Sequence, residues 1–354
     1  MAQTPVELIE ALCMADAISG REEKVRELLI QKIDGHCEWR VDARGNLLCH
    51  KKGKKPAQKR VMITAHMDEA GFMLTGIRED GLLRFANVGE IDSRVVLGKA
   101  VRIDGEVIGV IGTKPIHLQT REEQDRPMPL DQLYIDIGAS TKTSAEQAVK
   151  LGAQVTFAGE GVAAFGNGYL TGKAMETRAA CAMLAQLLCE DWEKDVDVVF
   201  TTSAQAMTSG GANAAFALHP DVAIVIGSIA ADDGKGGKGT CKLGKGPATC
   251  LHDLTTYYDL DTYNQCIQIA EEKGLPLQQL ENPSSKNESR QIQTAGDGVR
   301  VVALNIPCRY PSSISAMIQQ QDLNDTAALL RAWKNLRKFT KQKGQRQQRC
   351  LCLF

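Results

Sequence analysis

Apolar residues between Val6 and Met14 recur at helical spacing, through Val6, Leu8, Ile9, Leu12 and Cys13, and predict a first helix. Ser19 followed three residues later by Glu22 has the form of a capping box opening a second helix over 21–33. A short strand is expected over 47–50, a basic turn over 51–59, and a compact apolar strand over 61–65 whose carboxyl end delivers His66-Met67-Asp68. Between about 71 and 160 the pattern changes to short runs separated by glycine, at 82–85, 99–103, 106–111, 133–137 and 154–157, which predicts a small β-rich insert. From Gly172 onward helix and strand alternate: a helix over 177–189, a strand over 196–202, a helix after Gly211, a strand over 222–226, a helix near 263–273, a strand over 301–306 and a terminal helix from about Asp322. Apolar strands alternating with helices imply an α/β fold with a mostly parallel sheet flanked by helices, and functional residues at the carboxyl ends of its strands. The expected division is 1–70 plus 161–354 for this domain and 71–160 for the insert.

Composition narrows the function classes. Lys plus Arg number 42 against 43 Asp plus Glu, a net charge of -1, which argues against a general nucleic-acid or membrane-surface binder. The 11 cysteines include no Cys-x-x-Cys pair, so neither a zinc ribbon nor a redox dithiol of that kind is indicated, and they read as reduced thiols. No leader pattern or eighteen-residue apolar window occurs, and a cytoplasmic location is expected. The glycine-rich segment 231–240 lacks the spacing of a phosphate loop and reads as a surface loop. After Asp325 there are eight Lys or Arg and no acid, which reads as a solvated helix end and a frayed terminus; Leu351 stands where a prenylation box needs Cys.

His-x-Asp directly after a buried strand suits either a structural histidine or a metal half-site in which the carboxylate orients the ring. The words around it extend the comparison: Thr64-Ala65-His66-Met67-Asp68-Glu69-Ala70-Gly71-Phe72, then 109–118, Leu133-Tyr134-Ile135-Asp136-Ile137-Gly138, Asn167-Gly168-Tyr169-Leu170-Thr171-Gly172-Lys173-Ala174, Lys242-Leu243-Gly244-Lys245-Gly246-Pro247 and Ile306-Pro307-Cys308-Arg309-Tyr310. In order and spacing, from about Val6 to Leu330, they resemble the glutamyl and tetrahedral aminopeptidases, the forty-second family of metallopeptidases, which also holds proteins once labelled endoglucanases. The resemblance implies a zinc-exopeptidase-like α/β domain with a β-barrel-like assembly insert, and homo-oligomers that are dimers or tetrahedral particles. It also implies removal of amino-terminal residues from peptides with two metal ions, zinc or cobalt.

Carried over residue by residue, the resemblance gives a different answer for the site. His66 corresponds to a metal ligand and Asp68 to its orienting carboxylate. Glu176 stands at the bridging aspartate, one methylene longer. Gln205 takes the general-base position and Ala206 the ligand beside it. Gly227 and Ser312 fall where the family has a liganding Asp and a last liganding His, and Lys286-Asn287-Glu288 replaces a Gly-Thr-Asp word. Gln205 cannot accept a proton from a metal-bound water, and Ala206 has no donor atom. A catalytic zinc needs about three protein ligands, and two bridged metals need more. The expected cofactor is therefore none, or at most one weakly bound divalent metal.

Two functions follow as expectations. One is a catalytically inactive homologue acting as a binding or assembly protein, with a peptide or an active paralogue as partner. The other is a peptide hydrolase with a rebuilt mononuclear or metal-free site drawing on His66, Asp68, Glu176, Glu288 and groups near His252. Cys181 and Cys308 lie close to family words and read as buried apolar residues or as a nucleophile.

Overall fold

The computed structural model describes residues 5–334 apart from 235 and 282, so the end of the basic tail lies outside the described residues. In chain order its main elements are α1 (Val6–Met14), α2 (Glu23–Ile33), β1 (Glu38–Val41), β2 (Leu47–Lys51) and β3 (Val61–His66). Six strands follow: β4 (Gly71–Ile77), β5 (Leu83–Val88), β6 (Ala100–Ile103), β7 (Val107–Gly112), β8 (Tyr134–Asp136) and β9 (Gln154–Phe157), with α3 (Arg121–Gln124) and α4 (Lys142–Ala148) between them. The chain continues through β10 (Ala163–Phe165), β11 (Tyr169–Gly172), α5 (Met175–Leu188), β12 (Val196–Thr201), α6 (Gly211–Leu218), β13 (Val222–Ala230), β14 (Ala248–Cys250) and α7 (Leu260–Lys273). It ends with β15 (Gln278–Leu280), α8 (Ser289–Gln293), β16 (Arg300–Cys308), β17 (Ala316–Gln319) and α9 (Gln320–Lys334).

An eight-stranded sheet has the order β1-β2-β12-β3-β13-β16-β14-β15, and its centre, β12-β3-β13-β16, is parallel. These strands read as unbroken apolar runs because both faces are covered. Ile63, Phe200, Ile224 and Leu304 pack in one core with α5, whereas Met62, Val199, Val225 and Val301 pack in another with Ala214 of α6 and Ile292 of α8. Helix α5 is buried on nearly all sides, which its run of Ala, Cys, Met and Leu permits without exposing apolar surface. The mostly parallel α/β sheet is as the sequence pattern implies.

Strands β4-β5-β8-β7-β6-β9 close into a barrel. Phe72 lies at its centre, edge-on to Phe85 and Phe157 at 4.9 and 5.7 Å between ring centroids. Gly109 is required here, since a Cβ would come within 2.6 Å of Ile135. The barrel is spliced in just after His66-Met67-Asp68, its first strand beginning at Gly71.

Several local expectations change. The Ser19–Glu22 capping box does not form: α2 begins at Glu23 without a side-chain cap, because both side chains are used elsewhere. A capping box does occur at α4, between Thr141 and Ser144. Lys51 closes β2 rather than opening a turn, and β13 runs on to Ala230, so Gly227 lies inside a strand instead of just after one.

Candidate functional site

Thr64 and His66 are two residues apart on β3 and share a face, and Thr201 of β12 lies opposite His66 in register. That face meets the first residues before α8. The buried Glu288 carboxylate accepts the hydroxyls of Thr64 at 2.7 Å, Thr201 at 2.8 Å and Ser209. Two strands, a loop and a helix start are thereby tied to one side chain.

Asp68 is fully buried just past β3. It contacts His66 Nδ1 at 3.1 Å and accepts the Ser19 hydroxyl at 2.6 Å and the amides of Ala204 and Gln205 at 3.1 and 2.7 Å. The amides on either side are also taken, Ser203 by Glu22 at 2.8 Å and Ala206 by Ser19 Oγ at 3.1 Å. Four consecutive backbone N–H groups thus turn toward Ser19, Glu22 and Asp68, and the loop that achieves this holds Ser203 and Met207 at φ 58°. Its amides are committed to these side chains rather than to a ligand.

The electrostatics follow from these contacts. Burial alone would lower the His66 pKa, but the bond and charge of Asp68, reinforced by Glu288 and Glu176, raise it above the ordinary histidine value. Burial would raise Asp68, and the His66 contact together with the Ser19 and Gln205 donors holds it below the usual carboxylate range. Burial raises Glu176 even though Oε1 accepts the Ser312 amide at 2.9 Å, and Oε2 has no partner. Burial and the nearby Asp68 charge raise Glu22, against the amides of Gly20 and Ser203.

Behind the site lies a buried ionic cluster. Lys173 Nζ reaches Asp16 at 2.7 Å and Glu69 at 3.1 Å, and Arg178 Nη2 reaches Glu69 at 3.1 Å, all four side chains being almost wholly enclosed. Arg102 Nη1 also reaches Asp16 at 3.4 Å, so the two buried carboxylates are held among three cations, and Lys173 and Arg178 have structural partners of their own.

His66, Glu176, Gln205, Gly227 and Ser312 line one cleft of about 360 Å³, with Glu288 at its wall, whereas Asp68 lies beneath it and Ala206 is not among the lining residues. Lys286 and Glu90 pair at its border. His252 and Asp253 do not line it: the His252 ring lies tilted against Tyr257, and Asp253 accepts the Tyr258 hydroxyl and nearby amides. The nucleophile reading of the two cysteines is also corrected. Cys181 and Cys308 are wholly buried, and burial pushes the Cys181 thiol up to about 12 and Cys308 well up, so neither supplies a thiolate.

Sequence reading missed Asn305. It lies opposite Gly227 in the β13–β16 ladder, and a Cβ on Gly227 would stand 2.9 Å from Asn305 Oδ1. That oxygen is buried and unpartnered. The Thr64–Thr201–Ser209 cradle of Glu288 was missed as well; no spacing in the chain links hydroxyls so far apart in sequence, and only the parallel register brings them together.

The donors present do not fit a two-metal centre. Ala206 and Gly227 have no side-chain donor, and Glu288 already serves three hydroxyls. Among the described residues no group of three or more His, Cys, Asp or Glu is arranged to hold a metal ion.

Comparison with known proteins places these observations in context. The family model described as M42 glutamyl aminopeptidase matches residues 45–329. The putative aminopeptidase FrvX of Escherichia coli is 31% identical, over 93% of this chain and 94% of its own. The solved aminopeptidase APDkam598 of Desulfurococcus kamchatkensis superposes with a TM-score of 0.87 at 30% identity, covering 93% of each chain. The TET1 peptidase of Pyrococcus horikoshii, which can assemble into a tetrahedron or a large octahedral shell, gives 0.82 at 29% identity, covering 93% of this chain and 98% of that one.

Proposed function

Because the chain belongs to the M42 glutamyl aminopeptidase family, we propose that it is a member without dinuclear metallo-aminopeptidase catalysis, acting in the cytoplasm as a binding or assembly protein. The observation that carries this reading is the pairing of Gly227 with Asn305. Where the resemblance puts a liganding carboxylate, Gly227 has no donor, and a Cβ there would stand 2.9 Å from the amide oxygen of Asn305 on the neighbouring strand. Gln205 in the base position, and Ala206 and Ser312 in ligand positions, agree with it. The retained His66 and the altered Glu176 remain as donors, enough for at most one weakly held divalent metal.

The cleft itself is intact, and its buried unpartnered acceptors, Glu176 Oε2 and Gln291 Oε1, suit a hydrogen-bond donor such as a peptide amine. Assembly through the barrel is supported by the outer face of β7, where Ile108 and Val110 are 53% and 46% exposed, and by Ile116 and Leu118 nearby in sequence at 70% and 59%. A homo-oligomer, dimeric or tetrahedral, is the partner state proposed, and an active paralogue is a second candidate for the same surface. A panel of aminoacyl substrates tests the catalytic half: no turnover above the buffer rate, with or without added zinc or cobalt, is expected.

One observation favours a second reading, a peptide hydrolase with a rebuilt mononuclear or metal-free site: His66, Glu176 and Glu288 do share the cleft. Turnover in the unaltered chain that disappears in His66→Ala would select it, loss to chelator marking the mononuclear form and resistance to chelator the metal-free one.

A further inference from the structure

Beyond His66 the main sheet has a gap on one side of β13. That strand pairs with β16 along its whole length, from Val222 to Ala230, but with β3 only from Val222 to Val225, whose partner is Thr64. After His66 the chain leaves toward β12, the Met67 amide donating to the Thr201 carbonyl at 2.8 Å. Residues 226–230 of β13 therefore run on without β3 beside them, and every one of them lines the cleft.

The direction of each backbone group follows from two bonds. In a strand the N–H and C=O of one residue point to the same side, and successive residues alternate. The Val222 amide donates to the Arg60 carbonyl, just before β3, at 3.4 Å, and the Ala231 amide donates to the Cys308 carbonyl of β16 at 2.8 Å. Even-numbered residues of β13 thus face the β3 side and odd-numbered ones face β16. Gly227 and Ile229 belong to the β16 ladder, whereas Ser228 and Ala230 turn their N–H and C=O toward the cleft, and no strand among the described residues pairs with them there. The same cleft holds the buried Glu176 carboxylate, whose Oε2 has no partner.

Resting on the reading of the cleft as a peptide site, we infer that the peptide enters as an added strand, its main chain pairing with the free edge of β13 at Ser228 and Ala230 in the place that β3 vacates. Ser228 and Ala230 are two positions apart, so a ligand that reaches both must be extended over at least three residues. Its free amino end supplies the donor that Glu176 Oε2 lacks. Recognition through backbone groups tolerates many side chains, but it excludes proline and other N-alkylated residues at every second position, where an amide must donate to β13.

The test uses the full chain and tetra-alanine with a free amino end as the probe, compared by NMR titration with versions N-methylated at one residue at a time. Methylation should weaken binding about tenfold or more at alternate residues and leave the intervening ones nearly unchanged. Ala230→Pro, which removes a cleft-facing amide and leaves the bonds of the odd-numbered residues to β16 in place, should weaken the unmethylated peptide by a similar factor, with the fold checked by thermal unfolding. Binding of the plain peptide with equal affinity for all methylated versions, or with uniform loss in all of them, would overturn strand addition and leave the peptide reading standing. Absence of binding by the plain peptide would remove that reading and the inference with it.

Discussion

Asp68 and Glu288 show why a histidine and two carboxylates beside a cleft need not amount to a metal centre. Asp68 has four partners, and Glu288 has three hydroxyls, so each oxygen is engaged in holding the scaffold. Glu288→Ala should cost about 3 kcal/mol or more in denaturant unfolding, because three buried hydroxyls lose their acceptor. Glu176→Gln should cost less than about 1 kcal/mol, since that carboxyl is raised toward its neutral form and has one idle oxygen. The His66 ring should titrate above an ordinary histidine by NMR and move down in Asp68→Asn. The sign for stability follows: a raised histidine stabilises fully below its unfolded pKa, and that contribution is lost as pH rises through the folded value. At this scale the resemblance singled out positions 176, 205, 227 and 312, and the structure brings those four to one cleft with His66. Asn305 could not be singled out in this way, because its significance depends on which residue of another strand it faces.

At the scale of elements, strand and helix identity in the α/β part was legible because buried parallel strands are continuous apolar runs and α5 runs almost wholly in Ala, Cys, Met and Leu after its first turn. Short edge pieces such as β1, β14 and β15 escaped, since they have too few residues to show a period. The Ser19–Glu22 box failed for a physical reason: both side chains bond across the fold to the 203–206 loop, and a local motif cannot reveal a better distant partner. The β13–β16 pairing makes a sharper prediction about restoration. Gln205→Glu, Ala206→Glu, Gly227→Asp, Ser312→His and Glu176→Asp together should still bind metal poorly, because the carboxylate side chain introduced at position 227 meets Asn305. Adding Asn305→Ala should raise zinc binding measured by calorimetry; no gain would show that other supporting contacts have also changed. At the start of α9, burial pushes Asp322 up to about 6 against the amides of Gly244 and Gly246. A raised acid stabilises below its unfolded pKa and loses that contribution as pH rises through the folded one, so the unfolding midpoint should fall between about pH 4 and 6 more steeply in the unaltered chain than in Asp322→Asn.

For the whole molecule, the barrel is inserted at the end of β3, and the apolar outer face of β7 offers a surface for self-association. Light scattering should find an oligomer, and paired substitutions Ile108→Lys and Val110→Lys should shift it to a smaller species while the fold remains; a strictly monomeric unaltered chain would contradict the assembly proposal. The cleft and the buried Asp16–Lys173–Glu69–Arg178 cluster behind it remain well formed, whereas among the described residues the donors that would define a dinuclear centre do not converge. The measurement that bears most directly on this account is metal content per chain, taken by mass spectrometry on protein purified without added metal and dialysed. Less than one tightly held zinc or cobalt per chain is the expected result, with any residual metal lost in His66→Ala; two metals per chain would contradict it.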